Sequence, residues 1–186
     1  MSGNDPRWDL AIVDTAPTGH ALRLLELPSL MHDWTKVLMS ILLKYQPVTG
    51  LGTLAALLLK LSRGLGTLRG LLADEAQTHF VVVTRAAALP RAESIRLVGR
   101  LDAIGVHVPY VVVNAVGRGT CGPCRKAATA EKREIVALRR AIAPARGSRA
   151  LVLAPTQIPP PRGARSLRDW RRKWVTGVGK RVTGNG

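Results

Sequence analysis

The sequence predicts an α/β protein: a partial doubly wound parallel sheet of about four strands, with a helical subdomain inserted into it. Short apolar runs without polar alternation recur along the chain, and such runs are typical of strands that are buried on both faces. They lie at residues 10–13, 80–84, 110–113 and 151–153. Segments with apolar residues at helical spacing separate these runs, which indicates strand–helix–strand units and a parallel sheet.

The first predicted strand, residues 10–13, ends in Asp14 and a turn that contains Pro and Gly. This order predicts a carboxylate at the carboxyl edge of the sheet, where open α/β folds bind their ligands. The turn that follows can present the N–H of Gly19 and the hydroxyl of Thr18 to a phosphate. The pattern therefore indicates a nucleotide-hydrolysing site of unspecified kind.

A helical subdomain is predicted at about residues 21–77, between the first and second strands. Pro and Gly residues divide it into three helices, at residues 21–26, 31–43 and 51–72. The third helix carries an almost continuous apolar face. That face is either the packed core of the subdomain or a groove for an apolar or helical ligand, and both interpretations stay open. Its members are Leu54, Leu57, Leu58, Leu61, Leu65, Leu68 and Leu72.

Helices are also predicted between and after the later strands. Residues 92–104 and 127–142 each carry apolar side chains along one broad face, as expected of helices that cover a sheet. A third helix, at residues 165–174, is expected to pack its two tryptophans, Trp170 and Trp174, on the domain.

The α/β domain is predicted to span residues 1–176, with a flexible tail at residues 177–186. The tail begins with Gly177-Val-Gly-Lys180, which is similar to the end of a phosphate-binding loop. We do not interpret it as one, because Arg181 stands where such a loop has Ser or Thr, and no strand and long helix frame it.

The net charge of +16 is concentrated in the carboxyl-terminal part of the chain. Residues 115–186 hold seventeen Lys and Arg against three acids, whereas residues 1–114 hold eleven against nine. Such a region suggests a polyanion, an anionic membrane surface or nucleotide phosphates as a partner. A solvated face in an Arg-rich sequence is the simpler interpretation. The shortage of interleaved aromatic residues argues against a nucleic acid.

The amino-terminal residues do not resemble a signal peptide, because the first apolar run is short and ends in a carboxylate. The longest uncharged stretch, residues 45–59, contains Pro and polar side chains and is too short to span a membrane. We therefore expect a cytoplasmic protein.

One string carries a specific resemblance. Asp14-Thr-Ala-Pro-Thr-Gly-His-Ala-Leu-Arg-Leu-Leu25 closely resembles the signature of the arsenical-pump ATPase family, which includes the ATPases that target tail-anchored membrane proteins. Phe80-Val-Val-Val-Thr84 and Val111-Val-Val-Asn114 are similar to strands that follow in that family of deviant-Walker P-loop ATPases. The similarity extends over about residues 8–174.

The resemblance implies catalytic roles for four residues of this string. Asp14 would belong to the network that holds magnesium, through water, and the attacking water. Thr18, Gly19 and His20 would couple the loss of the γ-phosphate to the helical subdomain. The implied reaction is ATP hydrolysis, with Mg²⁺ as the metal.

The resemblance also implies a base-binding side and a cargo. Asn114 would contact the adenine base, and Pro155 would belong to the loop beside it. A metalloid or a membrane protein would be transported or targeted. Residues 1–186 contain neither the P-loop lysine nor the first switch of the family. We therefore expect ATP binding to be weak, and activity to need a missing segment or a partner polypeptide that supplies the P-loop.

Cys121-Gly-Pro-Cys124 places two thiols on one turn, which is half of a tetrahedral zinc site. Two chains can complete a four-cysteine site across a dimer axis. Some tail-anchored-protein-targeting members have a similar pair before a helix, which supports zinc and a homodimer. The tetrapeptide also occurs in thioredoxins, so redox or metalloid-thiol chemistry is an alternative. A non-catalytic dimeric zinc or thiol-binding module with a basic surface is thus the alternative to an ATPase.

Overall fold

Four strands form one sheet in the part of the chain that the structure describes. The structure is a computed structural model, and it describes residues 9–15, 31, 33–38, 40–41, 44, 51–117, 119–143 and 148–176. The strands lie side by side in sequence order; the first three are parallel and the fourth runs antiparallel to the third. The predicted α/β class, with a mostly parallel sheet of four strands, is confirmed. The strands are β1 (Val81–Arg85), β2 (Tyr110–Val116), β3 (Ala150–Pro155) and β4 (Val175–Thr176).

Helices precede, connect and follow the strands. The described residues between 31 and 44 are helical and are called α1. The later helices are α2 (Leu51–Ala73), α3 (Ala88–Ala103), α4 (Gly122–Ala141) and α5 (Gly163–Arg171). The predicted third helix of the subdomain is thus present as α2, whereas the predicted helix at residues 21–26 and the tail at 177–186 lie outside the described residues. Among the described helices, none has the length and apolar character to cross a membrane.

One face of the sheet is covered by α3 and α4. In α3, Leu97, Val98 and Leu101 recur at helical spacing, so they share the face that turns toward the strands. Leu101 is completely buried there. This core consists of Val82, Leu97, Val98, Leu101, Val106, Val108, Val111, Val113, Leu138, Ile142 and Leu151.

The opposite face is covered where β2 and β3 lie, by Trp170 of α5 and by Trp174, which follows the helix. Trp170 and Trp174 meet edge to face, with ring centroids 5.0 Å apart, over a small cluster formed by Val112, Val152 and Ala154. The prediction that both tryptophans pack on the domain is therefore confirmed. Over β1 the same face is open, since Val83 is 63% exposed.

A buried arginine ties the carboxyl ends of α3 and α4 to the start of β2. The Arg149 side chain is 5% exposed and forms an ion pair with Asp102 of α3. Its Nε donates to the carbonyl of Val108 at 2.9 Å, and its Nη1 donates to the carbonyl of Ile142 at 3.1 Å. One guanidinium thereby satisfies two main-chain oxygens and a carboxylate.

The predicted strand at residues 10–13 does not form, and that prediction is wrong. These residues have no regular secondary structure, and Leu10 and Ile12 are 75% and 86% exposed. A strand needs a neighbour for its backbone N–H and C=O groups, and residues 10–13 join no ladder. The fourth strand of the sheet is instead β4. It is only two residues long, Val-Thr, and does not lie in an apolar run from which a strand could be predicted.

Candidate functional site

A cleft of about 290 Å³ opens at the carboxyl ends of β1 and β2, beside the first turns of α3. Parallel pairing places Arg85, the last residue of β1, opposite Asn114 of β2. Open α/β sheets bind ligands at this edge, so the position is typical of a binding site. The cleft is lined by Val83, Thr84, Arg85, Pro90, Glu93, Ser94 and Asn114.

Asn114 lies where the end of β2 departs from regular strand geometry. The register between β2 and β3 shifts between Val113 and Val116, and Ala115 adopts a left-handed φ of 56°. The Asn114 Oδ1 accepts the N–H of Ala115 at 2.8 Å. This bond fixes the orientation of the amide, because only its oxygen can accept. The NH₂ group is therefore the part of the side chain that can donate to a ligand.

Two buried hydroxyl residues contribute to the lining of the cleft. Thr84 and Ser94 both donate to the carbonyl of Pro90, at 3.2 Å and 2.7 Å. The bond from Thr84 ties the end of β1 to the first turn of α3, whereas the bond from Ser94 lies within α3. At its rim, Glu93 forms an ion pair with Arg96 at 3.0 Å.

Pro155 ends the next strand along the sheet but is not a wall of this cleft. It is buried, and its carbonyl accepts the indole N–H of Trp170 at 2.8 Å. Asn114 and Pro155 therefore lie at the same edge of the sheet. Only Asn114 faces the cleft.

The two cysteines stand at the start of α4, where they are joined in a disulfide with their Cα atoms 5.1 Å apart. Cys121 is the N-cap residue, and its sulfur accepts the N–H of Cys124 at 3.2 Å. A cysteine binds zinc as a thiolate, and a structural zinc site has four ligands. In this form the pair provides neither, and the described residues contain no group of three metal-ligating side chains. The disulfide form does not fit zinc, and zinc shared between two reduced chains stays a prediction.

Comparison with known proteins decides the family. The sequence matches the anion-transporting ATPase family over residues 2–141, about three quarters of the chain. The chain belongs to that family. The resemblance found in the sequence is therefore confirmed.

Individual relatives in this ATPase family are distant and longer. The ATPase asna-1 of Caenorhabditis elegans is 29% identical over 66% of this chain and 41% of its own length. An arsenical pump-driving ATPase of Escherichia coli is 34% identical over 59% of this chain and 18% of its own. The ATPase GET3 of Zygosaccharomyces rouxii is 31% identical over 60% of this chain and 33% of its own. The chain thus spans less than half the length of each.

Of the catalytic residues that the family resemblance implies, Asp14 is the one that the structure describes, and it does not line the cleft. Asp14 is an exposed carboxylate in the irregular segment at residues 9–15. Thr18, Gly19 and His20 lie outside the described residues. Their roles, and the magnesium site, stay predictions.

Sequence reasoning missed two of the groups that shape the cleft. Thr84 and Ser94 gave one usable signal: both are hydroxyl residues close to Pro90 in the sequence, at six and four residues from it. The left-handed Ala115 gave none, since Ala is not a residue that favours this conformation.

Proposed function

We propose that this chain forms the base-binding side of a nucleotide site in an anion-transporting ATPase, which couples ATP hydrolysis to the movement or targeting of a cargo. The observation that supports it most is the position of Asn114. Asn114 lines a cleft at the edge of the sheet, and the N–H of Ala115 orients its side-chain amide. The chain that carries it belongs to this ATPase family. A donor held in this way suits the ring nitrogen of a purine, which accepts a hydrogen bond.

The phosphate side of the proposed site rests on the sequence motif. Asp14 would contribute the magnesium-side carboxylate, and Thr18, Gly19 and His20 would sense the γ-phosphate. A single exposed carboxylate does not hold the ion by itself, because magnesium takes six oxygen ligands. No Gly-x-x-x-x-Gly-Lys-Ser/Thr loop occurs in residues 1–186, so we propose that hydrolysis needs such a loop from another segment or polypeptide.

The cargo is proposed to be apolar and to bind the helical subdomain. Leu57, Leu61 and Leu68 share one face of α2, and each is more than 40% exposed. Buried area is the main source of affinity for an apolar helix or membrane segment. A soft metalloid bound by thiolates is the alternative cargo. A homodimer in the cytoplasm is part of the same proposal.

Binding of the base tests the proposal. Adenosine and ribose 5-phosphate are titrated separately into the ¹⁵N-labelled chain, and the side-chain NH₂ signals of Asn114 are followed. Adenosine is expected to shift them and ribose 5-phosphate is not, since the chain is proposed to hold the base side. Adenosine that binds without affecting these signals, or failure to bind at millimolar concentration, would exclude this role.

Two variants assign the effect to the donor. Asn114→Asp keeps an oxygen for the N–H of Ala115 but has no NH₂ group. We expect it to bind adenosine about tenfold more weakly, the loss of about one hydrogen bond. Gln77→Ala removes an amide outside the cleft and is expected to bind like the parent chain. Equal affinity of all three proteins would contradict the proposed contact.

Phosphate release tests the catalytic half separately. With millimolar Mg-ATP, the pure 186-residue chain is expected to release no phosphate above background. Turnover at roughly 1 per second or more, as in complete phosphoryl-transfer enzymes, would contradict the requirement for a supplied loop.

A further inference from the structure

The solvent-facing side of α4 carries a repeat of seven residues, and we call this surface the basic face. A pair of basic residues recurs three times along the helix at this spacing, and all six cations are exposed. The pairs are Arg125-Lys126, Lys132-Arg133 and Arg139-Arg140. An exposed residue no larger than valine precedes each pair by three positions. These small residues are Gly122, Thr129 and Val136.

The repeat aligns the cations in two rows along the helix. Seven residues of an α-helix advance about 10.5 Å along the axis and return to nearly the same side, with a drift of about 20°. Since residues three and four apart are neighbours on a helix surface, each small residue lies between the two rows, beside the pair that follows it. An Arg-rich composition supplies cations but no such period, so the two rows are a specific property of this helix.

The two acids of α4 do not neutralise the basic face. Glu134 forms an ion pair with Nε of Arg91 in α3 at 2.6 Å, and Glu131 accepts the N–H of Gly117 at 2.8 Å. Both acids are half-buried. None of the six cations forms an ion pair within the part of the chain that the structure describes. The face therefore presents six positive charges along about 22 Å of helix, without an acid of α4 among them.

We propose that the basic face binds an acidic helix of a partner protein, whose Asp or Glu residues recur every seven positions. The acids of such a helix repeat at the same 10.5 Å, about the distance between successive cations in each row. Charges that flank the contact of two helices select the partner and its orientation. The small side chains between the rows let the partner helix approach closely. The residues that line the cleft do not include any of α4, so this surface is independent of the nucleotide site.

The other anionic partners suit this surface less well. A helix that binds a membrane surface inserts large apolar side chains into it, whereas Val136 is the largest apolar side chain between the rows. Single-stranded nucleic acids are bound with aromatic side chains, and α4 contains none. A helix in the major groove of a duplex reads base edges with polar groups, but the hydroxyl of Thr129 donates to the carbonyl of Arg125 at 2.9 Å, within α4.

Two labelled peptides test the partner, with binding to the full chain measured by fluorescence anisotropy at low salt. Both are helical, three heptads long and made of Ala and Glu. In the first, Glu pairs recur every seven positions; in the second, the same residues are shuffled. The repeated peptide is expected to bind about tenfold more tightly, since it alone can pair along both rows. Equal affinity for the two peptides, or no binding of either, would overturn the proposal.

Phosphatidylserine vesicles and a DNA duplex are tested under the same conditions. Tighter binding to either of them than to the repeated peptide would also overturn it, because the face would then serve a lipid surface or a nucleic acid.

Two double variants assign the binding to α4. Lys132→Glu with Arg133→Glu reverses the central pair and is expected to weaken binding of the repeated peptide at least tenfold, to about the affinity of the shuffled one. Arg165→Glu with Arg168→Glu changes the net charge equally, on exposed positions of α5, and is expected to bind within about twofold of the parent chain. Equal losses in the two variants would show that binding follows net charge alone, and would contradict the assignment.

Exchange of charge tests the pairing itself. A peptide whose central Glu pair is replaced by Lys is expected to bind the Lys132→Glu, Arg133→Glu variant more tightly than the repeated peptide does. Circular dichroism checks that both variants keep the helix content of the parent chain. A folded variant that does not prefer the exchanged peptide would show that the central pair does not face the partner's central acids.

Discussion

Two apolar runs of this chain are alike in sequence and opposite in environment. Residues 10–13 read Leu-Ala-Ile-Val and are exposed, whereas residues 111–113 read Val-Val-Val and are buried. The second run forms the middle of β2, with β1 hydrogen-bonded on one side and β3 on the other. The first run pairs with neither. The difference shows that an apolar run can form a buried strand, but that it becomes buried only where other strands pair with it.

Strand β1 is intermediate between these two cases. It pairs with β2 on one side, and its side chains alternate between exposed and buried. Val82 and Thr84 face the core under α3, and Val81 and Val83 face outward. Burial along this series thus depends on two things: whether the segment pairs with other strands, and which faces of the sheet are covered at that strand.

The largest expected change in stability comes from comparing a substitution in the core with one in the amino-terminal segment, residues 10–13. Leu101→Ala removes a completely buried side chain and is expected to lower the free energy of unfolding by about 2–5 kcal/mol. Leu10→Ala changes a residue that is 75% exposed and is expected to stay within about 0.5 kcal/mol of the parent. Urea unfolding followed by circular dichroism measures both. A loss at Leu10 as large as that at Leu101 would show that residues 10–13 are buried in solution.

A smaller change in stability is expected when a buried arginine is compared with an exposed one. Arg149→Ala leaves the carbonyls of Val108 and Ile142 without their donor and is expected to cost about 2–3 kcal/mol, as for bonds to a charged group. Arg165→Ala removes an exposed arginine of α5 and is expected to be nearly neutral. The same urea experiment measures the two changes. Equal stability of both variants would mean that Arg149 does not connect α3, β2 and α4 as described.

The smallest effect concerns the turn that joins the helical subdomain to the sheet. The backbone N–H of Ala76, and then the side chain of Gln77, lower the pKa of Asp74 below its ordinary value. A carboxyl whose folded pKa is depressed stabilises the fold above its unfolded pKa, and this contribution is lost as the pH falls through the folded pKa.

The test of this turn is a carboxyl titration by NMR. We expect Asp74 to titrate below an ordinary aspartate and Gln77→Ala to move its pKa upward, toward the ordinary value. Asp74→Asn should weaken the dependence of stability on pH on the acid side. An Asp74 pKa that Gln77→Ala leaves unchanged would show that this contact does not form in solution.

Much of the sheet could be predicted, because β2 and β3 are buried on both faces and their sequences are therefore continuous apolar runs. Asn114 could be placed at the sheet edge for the same reason, since it is the first polar residue after the run. The prediction at residues 10–13 failed because pairing is a long-range property. The conformation of Ala115 could not be predicted either, since it accompanies the shifted register between β2 and β3.

Contacts between distant positions account for what else was missed. The cleft lies at the ends of β1 and β2, so Pro155 at the end of β3 is not one of its walls. The carbonyl of Pro155 instead accepts the indole N–H of Trp170, fifteen residues further on. The spacing of Cys121 and Cys124 allowed a disulfide among other outcomes. The close approach of the Gly119 backbone to the Cys124 side chain depends on the path of the chain before α4, which no local pattern encodes.

The outer position of β1 has a consequence for the behaviour of the chain in solution. In the described residues β1 has a partner on one side, and it carries Val81 and Val83 outward without an intervening Pro, Lys or acid. Unpaired, apolar strand edges template intermolecular β-pairing, the first step toward insoluble aggregates. Solubility of this protein is therefore tied to whatever shields that edge, and a lysine in place of Val83 is the change that would guard it.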